Sequence, residues 1–355
     1  MRRLLPLLFA ALAASLSGVT LESVGECALP SAWMNRPLGG LSGLTRVAGD
    51  FYYAVRDNGS KGALFTLRIG VDRATGAATN CEIVAETKLR GREDLEGVAW
   101  DVATKRVWVC DEHDGSIRAF DPVTGVETAR VAVPKAFDAF VFNRSFESLA
   151  LRPDGHEMWT CNEEALNRRA AVGRTKHKGV PIAPVAADTP DVDDGPLSSR
   201  DHGSRIRLQK FTRADPAAPW TPAGQWAYDT DSVGGAAFLD KARSGVSDLV
   251  CLDDGTLLVL EREMSVKKGG VLPTFRCRIY EVDFTEATDT SDLLSATAPS
   301  VRPVRKTRVF GARTAYAMYE GACLGPELAD GSRSLLLIAD GDDGAANRIM
   351  ALKMR

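Results

Sequence analysis

Residues 94–122 read DLEGVAWDVATKRVWVCDEHDGSIRAFDP. Three short runs rich in Val, Ala, Ile and aromatics are separated by polar turns, and Asp-Gly supplies the positive φ angles that tight hairpins need. Such runs read as strands rather than helices. A Glu-Gly pair, Glu96-Gly97, opens the first run, and an acidic pair, Asp111-Glu112, closes the second.

The arrangement recurs along the chain, and internal repeats are the first thing a fold reading should weigh. LSGLTRVAGDFYYAVRDNGSKGALFTLRIG begins at Leu41. FESLALRPDGHEMWTCNEEAL begins at Phe146 and resumes at RIRLQKFTR after an insertion. VSDLVCLDDGTLLVLEREMS begins at Val246 and resumes at FRCRIYEVDF, and YEGACLGPELADGSRSLLLIADGDDGAANRIMALKMR begins at Tyr319. A fourth strand follows four of the units, as CEIVAETKL, ETARVAVP, GQWAYDT and RKTRVFG. Four antiparallel strands per unit, repeated around a ring, predict an all-β fold, a β-propeller of four-stranded blades. Five repeats are counted. A degenerate sixth blade has room at residues 229–246 or 285–303. The last unit ends without a fourth strand, and VTLESVGECAL at 19–29 is left over. This segment is predicted to supply the missing strand and close the ring, removing an open sheet edge.

The chain has 355 residues, of which 45% are hydrophobic and 26% charged, with a formal net charge of −3. No basic field is available to hold nucleic acid or an anionic membrane. Arg2-Arg3, an apolar run from Leu4 to Ala14 and small residues after it form a signal-peptide layout over residues 1–17. The run falls short of the ~20 residues that span a bilayer. A periplasmic or secreted protein is therefore expected, as one propeller domain over 18–355, monomeric and without a membrane span. Residues 167–204, polar and rich in Pro, Gly and Asp, read as a mobile loop inserted in the third blade, with a lid as the other reading. Of seven cysteines, Cys110, Cys161, Cys251, Cys277 and Cys323 sit in apolar runs as buried thiols. Cys27 and Cys81 lie outside the central runs and are open to pairing.

In a propeller the first strand of a blade lines the channel and the second runs antiparallel beside it. The start of one and the end of the other thus share one mouth. Glu96, Glu147 and Glu320 start first strands, while Asp57, Asp111, Glu112, Glu163, Glu261 and Asp340 end second strands. Carboxylates so gathered need a counter-charge. Hard oxygen ligands suit a divalent cation, Ca²⁺ above all. The alternative is arginine, and Arg56 and Arg262 adjoin the same positions. Acids before turns also cap backbone groups, and acids at fixed repeat positions also bond neighbouring blades.

Other chemistries fail at the sequence level. GLSGL and GVSDL lack the second glycine of a nucleophile elbow, and Ser42 and Ser247 hold the slot taken elsewhere by Glu96, Glu147 and Glu320. Four histidines show no metal spacing, and His113 reads as an exposed turn residue. DVDDG and DGDDG begin like calcium loops but have His202 and Ala351 at the twelfth position. NGS at 58–60 and NRS at 143–145 match the glycosylation pattern.

The ordered set GGLSGL…FYYAVRDNG, DLEGVAWD…VWVCDE, NRSFESLALRPDGHEMWTCNEEAL, GVSDLVCLDDGTLLVLERE…RIYEVDF and YEGACLGPELADGSRSLLLIADGDD resembles the phytase-like, esterase-like family of exported bacterial proteins. The resemblance runs from about Gly39 to the C-terminus. It implies kinship with the six-bladed, calcium-dependent β-propeller phytases, and so favours a sixth blade. The family's recurrent residues carry over as Asp57, Glu96, Asp111, Glu112, Glu147, Glu163, Asp248, Glu261, Arg262, Glu320 and Asp340. The multi-Asp calcium motifs of the true phytases and their phosphate-binding Lys/Arg cluster are not found here. The function expected is an exported, metal-dependent ester hydrolase, possible phosphoesterase activity included, acting on a small anionic ester. Glu112 is its acid–base group, Arg262 and Arg56 hold the substrate's charge, and Glu96, Glu147, Glu320, Asp57, Asp111, Glu163, Glu261 and Asp340 hold the metal. The alternative is a non-catalytic propeller that binds a small ligand, glycan or protein.

Overall fold

A computed structural model describes residues 18–57, 62–91, 94–177, 180–233, 239–267, 274–314, 317–341 and 347–355. The signal-peptide reading of residues 1–17 and the NGS site at 58–60 lie outside them. Five four-stranded antiparallel sheets form the blades of a propeller. The first strands are Leu41–Ala48, Leu95–Asp101, Ala150–Leu151, Leu239–Cys251 and Met318–Glu327. The second strands are Phe51–Arg56, Arg106–Asp111, Glu157–Cys161, Leu257–Lys267 and Arg333–Asp340. The third are Ala63–Val71, Ser116–Phe120, Arg205–Thr212, Thr274–Asp283 and Arg348–Met354. Outer strands Ala78–Lys88, Glu127–Arg130, Thr221–Asp229 and Arg305–Thr314 complete four blades. The fifth is completed by Leu21–Ala28, which pairs antiparallel with the last strand from Leu21↔Met354 to Ala28↔Arg348. The expected closure of the ring by the N-terminal strand is what the fold uses.

Each blade has two apolar faces because it is packed between two others, which is why its strands read as near-continuous apolar runs. Five buried clusters fill the five seams. Tyr52 and Leu67 meet Leu336 and Ile338 between blades 5 and 1, and Val55 and Leu64 meet Leu95 and Val107 between blades 1 and 2. Trp108 and Cys110 meet Phe146 and Phe211 between blades 2 and 3. Tyr228 and Leu208 meet Val246 and Val259 at the next seam, and Ile279 and Leu260 meet Tyr319 and Leu337 at the last.

Among the described residues there is no sixth blade. Residues 239–251 are the first strand of blade 4. Residues 285–303 are an irregular connection that lies along the outer strand of blade 3, where Thr290 donates its N–H to Gln225 O and Val304 to Ala227 O. The insertion leaves blade 3 between its second and third strands, and its described residues are tied to the blade. It starts with a short helix, Arg168–Gly173, capped by Asn167. Further on, Asp194 accepts from Arg207 Nε and Nη2 at 2.6 and 2.8 Å, both side chains being fully buried.

All seven cysteines are free thiols. Cys27 and Cys81 are nevertheless in hydrogen-bond contact, on the closing strand and on the outer strand of blade 1. The five cysteines in apolar runs are buried as expected. Among the described residues no helix is long and apolar enough to cross a membrane.

Candidate functional site

The cross-strand pairs Leu41–Arg56, Leu95–Asp111, Phe146–Asn162, Val246–Glu261 and Tyr319–Ala339 are equivalent in the five blades. Within the next few residues every ladder slips by one, so each first strand carries an irregularity in the same region. Bulges of this kind re-aim a side chain. The residues that follow the paired position, at or beside the slip, are Ser42, Glu96, Glu147, Ser247 and Glu320. Their counterparts, one past the paired residue on the second strand, are Asp57, Glu112, Glu163, Arg262 and Asp340. Two concentric sets of five thus hold seven carboxylates and one guanidinium at one mouth of the ring.

Below this level the channel narrows to backbone contact. A Cβ on Gly97 would stand 2.4 Å from Leu149 N, and one on Gly321 2.6 Å from Gly43 C. The equivalent position in blade 4 is Asp248, whose carboxylate accepts the N–H groups of Leu249 at 2.8 Å and Ala322 at 2.7 Å. Asp248 is a structural bolt between blades, and burial raises its pKa despite these bonds. The opposite side of the constriction opens into a cavity of about 400 Å³ floored by Leu44, Val98, Leu149, Leu249 and Ala322.

The mouth has two electrostatic halves. In one, Arg262 donates to Glu320 at 2.7 Å, to Glu163 at 2.7 Å and to Glu147 at 3.2 Å. Arg144 stands 3.2 Å from Glu163 and 2.9 Å from Glu164, and Arg243 bonds both acids at 2.8–3.2 Å. Burial alone would lift Glu163, but these three guanidiniums hold it down at about 2. Burial pushes Glu147 up to about 7, with Arg262 opposing and Glu163 adding.

In the other half no arginine bonds to Glu96 or Glu112 among the described residues. Asp94, Glu96 and Glu112 bring carboxylate oxygens within 4.8 Å of one another, as do Glu112, Glu147 and Glu163. Glu112 is 1% exposed, and its Oε1 has no hydrogen-bond partner. Burial and then the neighbouring carboxylates raise both Glu96 and Glu112 well above the ordinary carboxylate range. Glu320 is likewise raised by burial, and with Asp57 and Asp340 it forms a third close group. Asp340 Oδ1 also accepts Gly40 N–H at 2.7 Å, joining blade 5 to blade 1.

Three residues expected at the site are not brought to it. Asp111, Glu261 and Arg56 belong to the paired positions, one residue before the mouth set. Asp111 accepts the N–H of His113 at 3.1 Å and caps its own turn. Glu261 lies in the seam of blades 3 and 4, bonded by Lys306 at 2.6 Å and Tyr228 OH at 2.7 Å. Arg56 is opposite Leu41 and makes no ion pair among the described residues. Conversely, Asp94, Glu164, Arg144 and Arg243 join the site without having been singled out in the sequence.

The two halves give a pH dependence with a defined sign. Glu147 has a folded pKa above its ordinary 4.5, so the folded state binds the extra proton and stability falls as pH rises from about 4.5 to about 7. Glu163 has the opposite shift. Its contribution is present above 4.5 and is lost as pH falls toward 2. In EDTA, urea midpoints are expected to be lower at pH 8 than at pH 5, and an equal or higher midpoint at pH 8 would contradict the assignment.

Solved structures similar to the chain are of low identity. The periplasmic gluconolactonase PpgL of Pseudomonas aeruginosa is 12% identical over 86% of this chain and 83% of its own, with a TM-score of 0.34. The PQQ-bound aldose sugar dehydrogenase of Streptomyces coelicolor is 13% identical over 95% and 98%, at 0.39, and an endo-arabinase of Bacteroides thetaiotaomicron is 12% identical over 88% and 93%, at 0.41. None of these likenesses carries over an activity. No curated protein matches the chain. The model of the phytase-like family, described as esterase-like activity of phytase, matches residues 36–343, and with five blades and the acidic mouth in place the chain belongs to that family.

Proposed function

We propose that the protein is an exported hydrolase of small anionic esters, phosphate esters among them, that works with a divalent cation at the acidic mouth. The observation that carries this reading is Glu112 Oε1, a buried carboxylate oxygen with no hydrogen-bond partner, beside Asp94 and Glu96. A buried ionised carboxylate is stable only when paired or coordinated. The donors are all carboxylate oxygens, with no His or Cys, which fits Ca²⁺ or Mg²⁺. Asp94, Glu96 and Glu112 would hold the ion. A divalent cation bound there supplies Lewis-acid polarisation of an ester and a water of lowered pKa.

The chain's own residues take the remaining roles. Glu147, lifted to about 7, is suited to accept and return a proton at neutral pH, so it takes the acid–base role that the sequence had suggested for Glu112. Arg262 holds Glu147, Glu163 and Glu320 in place rather than meeting substrate, since three carboxylates already occupy it. A second reading, a non-catalytic binding propeller with a structural cation, is favoured by the burial of the acids and by the three arginines that neutralise half of them.

The test is turnover of p-nitrophenyl phosphate and p-nitrophenyl acetate by purified protein, with and without EDTA. Turnover lost on chelation, and lowered at least 100-fold in Glu147→Gln with unchanged melting, is the expected result. No turnover with melting still sensitive to EDTA leaves the binding propeller. No turnover and no effect of Ca²⁺ or EDTA on melting sinks both readings.

A further inference from the structure

The outer face of blade 4 carries four arginines on one side of the sheet. Arg276 lies directly opposite Arg313 in the ladder, Arg278 opposite Gly311, and Tyr280 opposite Arg308. Directly opposed residues share a face, and like charges in that relation destabilise a strand pair. The arrangement therefore needs a compensating charge. Glu263 supplies part of it, opposite Arg276 in the next ladder: Arg278 bonds it, and Arg276 Nη1 stands 3.4 Å away. Glu261, opposite Arg278 in the same ladder, is bonded by Lys306 at 2.6 Å.

Four guanidiniums and Lys306 against Glu263, Glu261 and Asp231 leave two positive charges, in a chain whose net charge is −3. Arg308 and Arg313 are exposed and have no ion pair among the described residues. Arg278 is only 9% exposed, and its Nη1 is a buried donor without an acceptor. Arg276 Nε is a second such donor. Leaving a buried charged donor unmatched costs more than making its bond gains. Gly311 adds space over Arg278, because a Cβ there would meet nothing nearer than 3.8 Å. The four arginines line an open groove of about 490 Å³ together with Cys277, Val309, Phe310, Gly311 and Ala312.

We propose that this groove is a binding site for a phosphate-bearing anion, with Arg276 and Arg278 as its buried donors and Arg308 and Arg313 as its rim. Planar guanidiniums match tetrahedral oxyanions in pairs of bonds, and a groove with four of them favours more than one phosphate group. The site shares no residue with the carboxylate mouth, so it stands or falls independently of the hydrolase reading.

Titration calorimetry with inorganic pyrophosphate, in EDTA and at low ionic strength, tests it. Saturable one-to-one binding is expected, at least tenfold weaker in the double variant Arg308→Ser/Arg313→Ser. Both positions are exposed, so the fold should persist, and circular dichroism checks that. A control of equal charge, Arg68→Ser/Arg130→Ser, should bind as the parent does. Sedimentation with phosphatidylglycerol vesicles separates the sources. Vesicle binding that pyrophosphate displaces assigns the phosphate to a lipid headgroup, and its absence assigns a free phosphate compound. Absence of heat with pyrophosphate, equal affinity in the groove variant, weakening in the control, or vesicle binding that pyrophosphate leaves intact would each overturn the proposal.

Discussion

Arg262→Gln is expected to destabilise the protein by about 3–5 kcal/mol, the cost of removing one partner from a buried ionic network. Arg262 is the one cation among ten ring positions, and three buried carboxylates converge on it. Glutamine keeps much of the volume and some hydrogen bonding but removes the charge. Glu147 and Glu320, already raised by burial, lose the guanidinium that opposes the rise. The penalty should shrink as pH is lowered toward 4.5, because the orphaned acids then take up protons. Urea unfolding of both proteins at pH 5 and pH 8 measures this. A loss under 1 kcal/mol at pH 8, or one that grows on acidification, would show that the arginine is not the keystone of that half of the mouth.

Gly97→Ala should cost about 3 kcal/mol or more, at or above the top of the usual range for overpacking. The added methyl carbon would lie 2.4 Å from Leu149 N and 2.5 Å from Ser148 C. These atoms belong to the backbone that leads into the first strand of blade 3, which cannot rotate away as a side chain would. Relief requires moving blade 3 against blade 2, and that disturbs the seam where Trp108 meets Phe146 and Phe211. Gly173→Ala is the matched control, since nothing lies within 4 Å of a Cβ there. Thermal melts of the two variants should separate clearly. Equal melting would mean that the first strands are not in the close contact described.

The ring was legible in the sequence because its signals are local: apolar runs of strand length, Asp-Gly hairpins, and a leftover strand near the N-terminus matching a gap at the other end. The acids of the mouth were legible to within one residue. Asp57 and Glu112 were named together with Asp111 and Arg56, and Arg262 together with Glu261. Pleat alternation alone cannot separate them, because the bulge beside Glu96, Glu147 and Glu320 shifts the phase of each first strand by one. The flanking groups were hidden for a different reason. Arg144 and Arg243 precede the residues of their blades that open onto the mouth, and Asp94 and Glu164 sit in connections, where no periodicity reports which way a side chain turns. The most buried tie of the insertion, Asp194 with Arg207, joins residues that nothing in the sequence links. The repeats had counted five, leaving room for a sixth blade at 229–246 or 285–303 that only the family resemblance favoured.

The pairing of Leu21–Ala28 with the final strand also sets the order in which this molecule can be assembled. Leu21 finds its partner at Met354, so the most distant parts of the chain must meet before the fifth sheet exists. Contacts of such long sequence separation form late and slowly. Until then the seam between blades 5 and 1 has an unpaired edge, and the clusters around Ile349 and Leu352 lack the cover of Val24, Cys27 and Leu21. A newly made chain therefore passes through an open horseshoe, and deleting Leu21–Ala28 or Arg348–Met354 should trap it there as a sticky, protease-sensitive species.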